Sequence, residues 1–286
     1  MKQLSYLIKR NTTLFFRDKG LFFTSLITPM ILLVLYSTFL GNVYRDAIVQ
    51  IIDAMNTTAP VPAVIESRVI DGFVGGQLIS SILAVSCVTV SVSCNMLMVQ
   101  DKVNGANKDI MISPLSPGIL ALSYYVSTLI STFIICLAAM AVGLIYLAFV
   151  GFYLTAADVL LMLLDIVILV MFGTAFSSVI NFFMSTQGQI SAVGSIISSC
   201  YGFICGAYMP ISSFGEGLQK AVVFLPGTYG TSLLRTHCLQ GVFSQLQAQG
   251  IPAAVVKDLA DSVDCNLYFF DTQVSPGVMY LILGGT

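Results

Sequence analysis

Two acids and two lysines, Asp101, Lys102, Lys108 and Asp109, fall within nine residues of a stretch that otherwise reads as a connection between apolar segments. With Asn104 and Gly105 between them, they offer ion pairs and hydrogen bonds, and Ile110, Met111 and Ile112 add apolar contact before Pro114 and Pro117 stop any helix. This is the chemistry of recognition, suited to docking on a soluble partner; the plainer alternative is a short charged connection. Asp165 is the one charge well inside a long apolar stretch, where an ionisable group is a functional candidate by default. It lies only about two helical turns from the end of its segment, within reach of water or a hydroxyl. The sole histidine, His237, reads as a surface residue. Cys238 and Cys265 share one connecting segment and could close a disulfide ring, while the other five cysteines read as small apolar residues. Asp258, Asp261 and Asp264 recur every third residue and read as a solvated acidic face rather than a cation site. Asn56-Thr57-Thr58 matches a glycosylation acceptor. The sequence contains no Gly-x-x-x-x-Gly-Lys-Ser/Thr, no His-Glu-x-x-His and no Gly-x-Ser-x-Gly. Neither a nucleotide phosphate cradle nor a hydrolase centre is therefore expected, and no cofactor or metal is expected on this chain.

The elements that must position these residues are set by composition. Of 286 residues, 57% are hydrophobic and 9% charged, and the mean hydropathy is +0.92. Soluble domains carry about 25% charge, so this is a membrane protein. Twelve Lys and Arg against fourteen Asp and Glu give a net charge of −2, which disfavours nucleic acid as a partner. No charge lies between Lys19 and Arg45, Asp71 and Asp101, Asp109 and Asp158, or Asp165 and Glu216. A crossing takes about 20 apolar helical residues, so each gap holds at least one. Spans are expected near residues 21–43, 74–99, 118–142, 159–183 and 190–210, with a sixth starting near Pro276 and continuing past Thr286. The expected fold is an all-α polytopic bundle in a single membrane domain over residues 1–286. No alternating segments suggest a barrel.

Lys2, Lys9, Arg10, Arg17 and Lys19 flank a stripe of Leu4, Ile8 and Phe15, with Leu7, Leu14 and Phe16 beside it. This suits an amphipathic helix lying in the interface against anionic lipid, and not a cleavable signal. Five cations at one short terminus place it in the cytoplasm. Alternation then puts residues 100–117 and 184–189 inside, and 44–73, 143–158 and 211–275 outside.

Two spans carry more than hydrophobicity. Ser80, Ala84, Cys87, Ser91 and Cys94 form a face of small side chains in the second. Ser191, Ser195, Ser198, Gly202 and Gly206 repeat it in the fifth. Small faces let helix backbones approach in lipid, by plain packing or as the seam to a second copy or a cargo path. Pro29 predicts a kink in the first span. After the fifth, Ser213 and Glu216 match a capping box, and Phe214, Leu218, Val222 and Leu225 predict an amphipathic helix on the outer surface, closed by Pro226 and Gly227.

Taken in order, these features resemble the permease subunits of ATP-binding-cassette transporters of the type-2 export family. The resemblance rests on the basic N-terminal helix and on Gly105 followed by Ser113-Pro114. It rests also on the Met-Pro-Ile-Ser-Ser segment from Met209, leading to Leu225-Pro226-Gly227-Thr228-Tyr229 and Leu234-Arg235. The chain departs from that pattern at Ala106 and Lys108, where a Thr and a Glu are usual. The resemblance implies a pathway of two six-span permeases, as homodimer or heterodimer, in a bacterial plasma membrane. A separate cytoplasmic ATPase, holding ATP and Mg, would dock on Asp101 to Asp109. Ser80, Ala84, Ser91, Ser195, Gly202 and Gly206 would line the moving seam. The competing expectation is a carrier coupled to an ion gradient, with Asp165 as its coupling group.

Overall fold

The computed structural model describes residues 2–56, 66–113, 115–270 and 272–285; the Thr57-Thr58 part of the glycosylation acceptor and Pro114 lie outside them. Helix α1 (Lys2–Arg17) meets α2 (Lys19–Leu35) at a bend of 71°. The break is fixed by Asp18, whose carboxylate caps α2 by accepting from Leu21 N–H at 3.1 Å. Pro29 is accommodated inside α2, which runs through a π-helical turn (Tyr36–Leu40) into α3 (Gly41–Asn56). Then follow α4 (Ser67–Val103), the short α5 (Ala106–Ile112), α6 (Pro117–Val150), α7 (Ala156–Phe182) and α8 (Gln187–Ile204). Thr155 with Asp158, and Thr186 with Gln189, form reciprocal capping boxes that start α7 and α8.

Helices α4, α6 and α7 are each long and apolar enough to cross a membrane, and the bent α1–α2 pair makes a fourth if read as one crossing. Helices α4 and α6 extend the expected spans outward at both ends, to 37 and 34 residues. In α8, Gln187, Gln189 and four serines dilute the apolar content. Among the described residues the expected five-plus-one pattern therefore appears as three or four long apolar helices, with α8 and the ten-residue α12 (Pro276–Gly285) shorter or more polar.

Helix α4 is the central post. Its apolar window is 89% buried, against 28% for α6 and 39% for α7, and it packs on α2, α6, α7 and α8. A helix apolar all round is one enclosed by others, whereas α6 and α7 keep apolar faces such as Val142, Ile145, Phe149, Leu160 and Val179 outward, as lipid requires.

The largest correction lies after α8. The expected amphipathic helix from Ser213 to Leu225 is instead a turn (Ile211–Ser213) and the seven-residue α9 (Glu216–Val222). Gly215, not Ser213, occupies the N-cap position, and no side chain caps the helix. Val222 is buried while Leu218 and Leu225 are exposed, so the expected apolar face is split. Pro226 does not end a helix but opens one, α10 (Pro226–Ala248), at the first-turn position where its missing N–H costs nothing. This helix belongs to the core, packed against α4 and α7. Its glycines permit the approach: a Cβ on Gly230 would meet Leu169 at 2.5 Å, and one on Gly76 of α4 would meet Leu239 at 2.8 Å. Helix α11 (Ala253–Ser262) and a two-stranded antiparallel hairpin, β1 (Tyr268–Phe269) with β2 (Thr272–Gln273), lead to α12.

The α4–α7 crossing hinges on Gly173, where a Cβ would stand 2.7 Å from the Cys87 carbonyl and 3.0 Å from Val88 Cα. These are backbone atoms that cannot step aside. Gly173→Ala should lower stability by about 1–3 kcal/mol through overpacking, read as earlier thermal unfolding in detergent. Gly188→Ala, which lies within α8 and meets nothing within 4 Å, should not lower stability and should raise it slightly.

Candidate functional site

At one end of α4 the predicted docking residues divide into a buried set and a displayed set. Asp101 is buried, its carboxylate gripped by both Nη atoms of Arg10 at 2.7 and 3.2 Å and by the Tyr124 hydroxyl at 2.6 Å. The bidentate guanidinium contact and the short hydroxyl donor fix the carboxylate's orientation as well as its charge. Asn11 of α1, also buried, donates to Ser123 of α6 at 3.3 Å, and Leu7 packs against Leu97, Leu120 and Tyr124. The N-terminal stripe expected to meet lipid is thus largely spent on the protein: Phe15 packs with Val90, Cys94 and Ile135. Lys2, Lys9, Arg17 and Lys19 remain exposed around it. Lys102 reaches the other way, donating to the Asn181 and Phe182 carbonyls at 3.4 and 3.1 Å and lying 5.5 Å from the Phe182 ring centre. A lysine at carbonyls that end a helix is favoured by the helix dipole. Asp101 and Lys102 therefore tie α4 to α1, α6 and α7 together.

Beyond them the chain reverses at Gly105, whose φ of +80° is a left-handed conformation natural to glycine, and enters α5. Asn104, Lys108 and Asp109 are exposed there, with Val103, Met111 and Ile112. Ile112 is 84% exposed, and none of α5 is buried. Exposed apolar side chains interleaved with charges at the tip of a braced hairpin form a surface that a protein partner can cover.

The small-residue faces are placed differently. Ser80, Ala84, Cys87, Ser91 and Cys94 are buried within the chain, with Cys87 and Ser91 meeting α7 at Gly173. That face is an internal seam, not one offered to a second copy. In α8, Ser191 and Ser195 are exposed, Ser198 is half-buried, Gly202 lies under the Tyr208 ring, and Gly206 forms a turn at φ +74°.

A second polar assembly went unread in the sequence. Asp165 is buried and bonded to His237 Nδ1 at 2.6 Å and to the Tyr280 hydroxyl at 2.5 Å, joining α7, α10 and α12. His237 is therefore not a surface residue. The signal available was Asp165 itself, a charge in an apolar helix that needs a partner. Nearby, fully buried Arg235 donates to the Val263 carbonyl at 2.7 Å and the Gly206 carbonyl at 2.9 Å, and lies 3.4 Å from Asp264 and Ser81. Asp264 thus leaves the expected acidic face. It turns inward at φ +55° and accepts from Ile211 N–H at 2.7 Å. Burial pushes its carboxyl pKa up, opposed by Arg235 and by the Ile211 and Ser212 amides. Cys238 and Cys265 are free, buried thiols, so the ring they could close is not formed. Among the described residues no cluster of His, Cys, Asp and Glu is arranged to hold a metal.

A family model described as ABC-2 type transporter matches residues 2–238. No curated protein and no solved structure matched the chain.

Two substitutions test the two assemblies. Asp101→Ala removes the acceptor shared by Arg10 and Tyr124 and should loosen α1. A thiol introduced at buried Asn11, with exposed Cys200 replaced by Ser, should then react with maleimide while the same thiol in the otherwise wild-type chain stays protected. His237→Ala should lower stability by about 1–3 kcal/mol, the usual penalty for leaving a buried polar partner unsatisfied, measured as a shifted denaturation midpoint.

Proposed function

Since the chain belongs to the ABC-2 type transporter family, matched over residues 2–238, we propose that it is the permease subunit of an ATP-driven exporter whose separate cytoplasmic ATPase seats on α5. The observation that carries this reading is the exposed α5 tip standing on the buried Asp101–Arg10–Tyr124 clamp. A push on Lys108, Asp109, Met111 or Ile112 is delivered to α4, and through it to α1, α6 and α7, because the joints between them are short charged and hydroxyl hydrogen bonds rather than loose loop. ATP and Mg belong to the partner, in keeping with a sequence that has no phosphate loop.

The same reading puts the N-terminus and α5 in the cytoplasm and the α9–α11 segment on the far side of a bacterial plasma membrane, with α8 and α12 completing six crossings. A second permease copy, identical or homologous, would meet the faces that α4 does not cover: Ser191 and Ser195 of α8, and the exposed Phe23, Ile27, Met30 and Val34 of α2. The exposed cations of α1 would rest on lipid headgroups. Small neutral faces suit a drug, lipid, peptide or glycan-linked cargo alike.

Lys108→Glu combined with Asp109→Lys, or Ile112→Ser alone, should cut copurification of the ATPase subunit and ATP-driven transport by about tenfold or more, as expected for a central docking contact. The amount of permease in the membrane should not change. Labelling of a thiol placed at Lys108 from outside intact cells would overturn the reading.

A further inference from the structure

The segment following α8 lines an open cleft of about 310 Å³ between α9 and the β1–β2 hairpin, within the range of small-molecule sites. Independently of the export reading, we propose that it binds a small organic ammonium ion.

The walls are preorganised. Asp261 accepts from Asn266 Nδ2 at 2.6 Å and the Tyr268 hydroxyl at 3.1 Å, which holds its carboxylate at the cavity without neutralising it. On the facing wall Gln219 donates to the Ser212 and Phe214 carbonyls at 3.2 and 2.7 Å, tying α9 to the turn before it. The floor is Asp264, already paired with Arg235 and so electrically spent. That leaves Asp261 and Glu216 against Lys220, an excess of one negative charge among the described lining groups. One monovalent cation balances it.

Aromatic rings define what kind of cation. Tyr268, Phe269 and Phe270 line the cavity, and Phe269 and Phe270 meet edge to face at 5.0 Å. Both also meet the Phe224 ring, at 5.3 and 6.5 Å, and keep 38% and 60% of their surface exposed. Rings beside a carboxylate attract an alkylated ammonium through the ring quadrupole and bury its methyl groups, whereas a strongly hydrated metal ion gains little from them.

The test uses the full chain in lipid nanodiscs, with choline as probe and its uncharged isostere 3,3-dimethylbutan-1-ol as competitor. Choline should bind saturably and the isostere should fail to displace it. Asp261→Asn and Phe269→Ala should each weaken binding by about tenfold, as loss of a charge or a ring from such a site does. Lys220→Ala, at the exposed rim, should strengthen it, a gain that misfolding cannot mimic. The proposal is overturned by absent saturable binding in the wild type, by undiminished binding in Asp261→Asn, by equal competition from the isostere, or by displacement of choline by calcium at equal concentration. None of these outcomes bears on ATPase docking at α5, so failure here is distinguishable from failure of the export reading.

Discussion

A helix enclosed on every side can satisfy its polar groups only from within the protein, and α4 is such a helix. Its serines and threonines return their hydroxyls to its own carbonyls, as Ser86 does to Ile82, Thr89 to Val85 and Ser91 to Cys87. Of the longer groups, Gln77 finds no partner among the described residues, while others become joints. Asn95 donates to Ser177 and Ser178 of α7 at 3.2 and 3.0 Å, and Asp101 and Lys102 reach α1, α6 and α7. Because hydrocarbon offers no competing hydrogen bonds, each joint specifies which neighbour lies where, even though its net energy is modest.

The two ends of the bundle use this constraint differently. At the α5 end, Asp101 and Lys102 of the post are spent on neighbouring helices. At the opposite end the post carries Arg68 and Asp71, the latter paired with Arg45 of α3. Further polar groups come from α7, α10, α12 and the segment after α11, meeting at Asp165 and Arg235. Between these two sets, α4 and α7 meet through close backbone packing around Gly173 and through the Asn95 bonds to Ser177 and Ser178.

Helix type, the membrane setting and the existence of α1, α4, α6, α7 and α8 were legible because charge-free runs of this length have few other physical solutions. The exposed part of the α5 loop was legible for the same reason, as charge stands out against an apolar background. What composition concealed was direction. Asp101 reads like Asp109 in the sequence, yet one is clamped and the other displayed, and only the arrival of Arg10 and Tyr124 from distant segments separates them. Helix α10 was hidden twice over: proline at its start looked like a terminator, and burial on all faces erased the periodicity that marks a surface helix. The inward turn of Asp264 rests on a left-handed residue, which an aspartate tolerates without advertising it.

The fully enclosed Arg235 also constrains the order in which the polypeptide can be assembled. Its acceptors, the carbonyls of Gly206 and Val263 and the carboxylate of Asp264, straddle it in the chain, and the last of them is synthesised well after α10. A buried guanidinium left without its acceptors is strongly destabilising. The packing of α10 against α4 and α7 therefore depends on residues 263 and 264, which lie beyond the helix that carries the arginine.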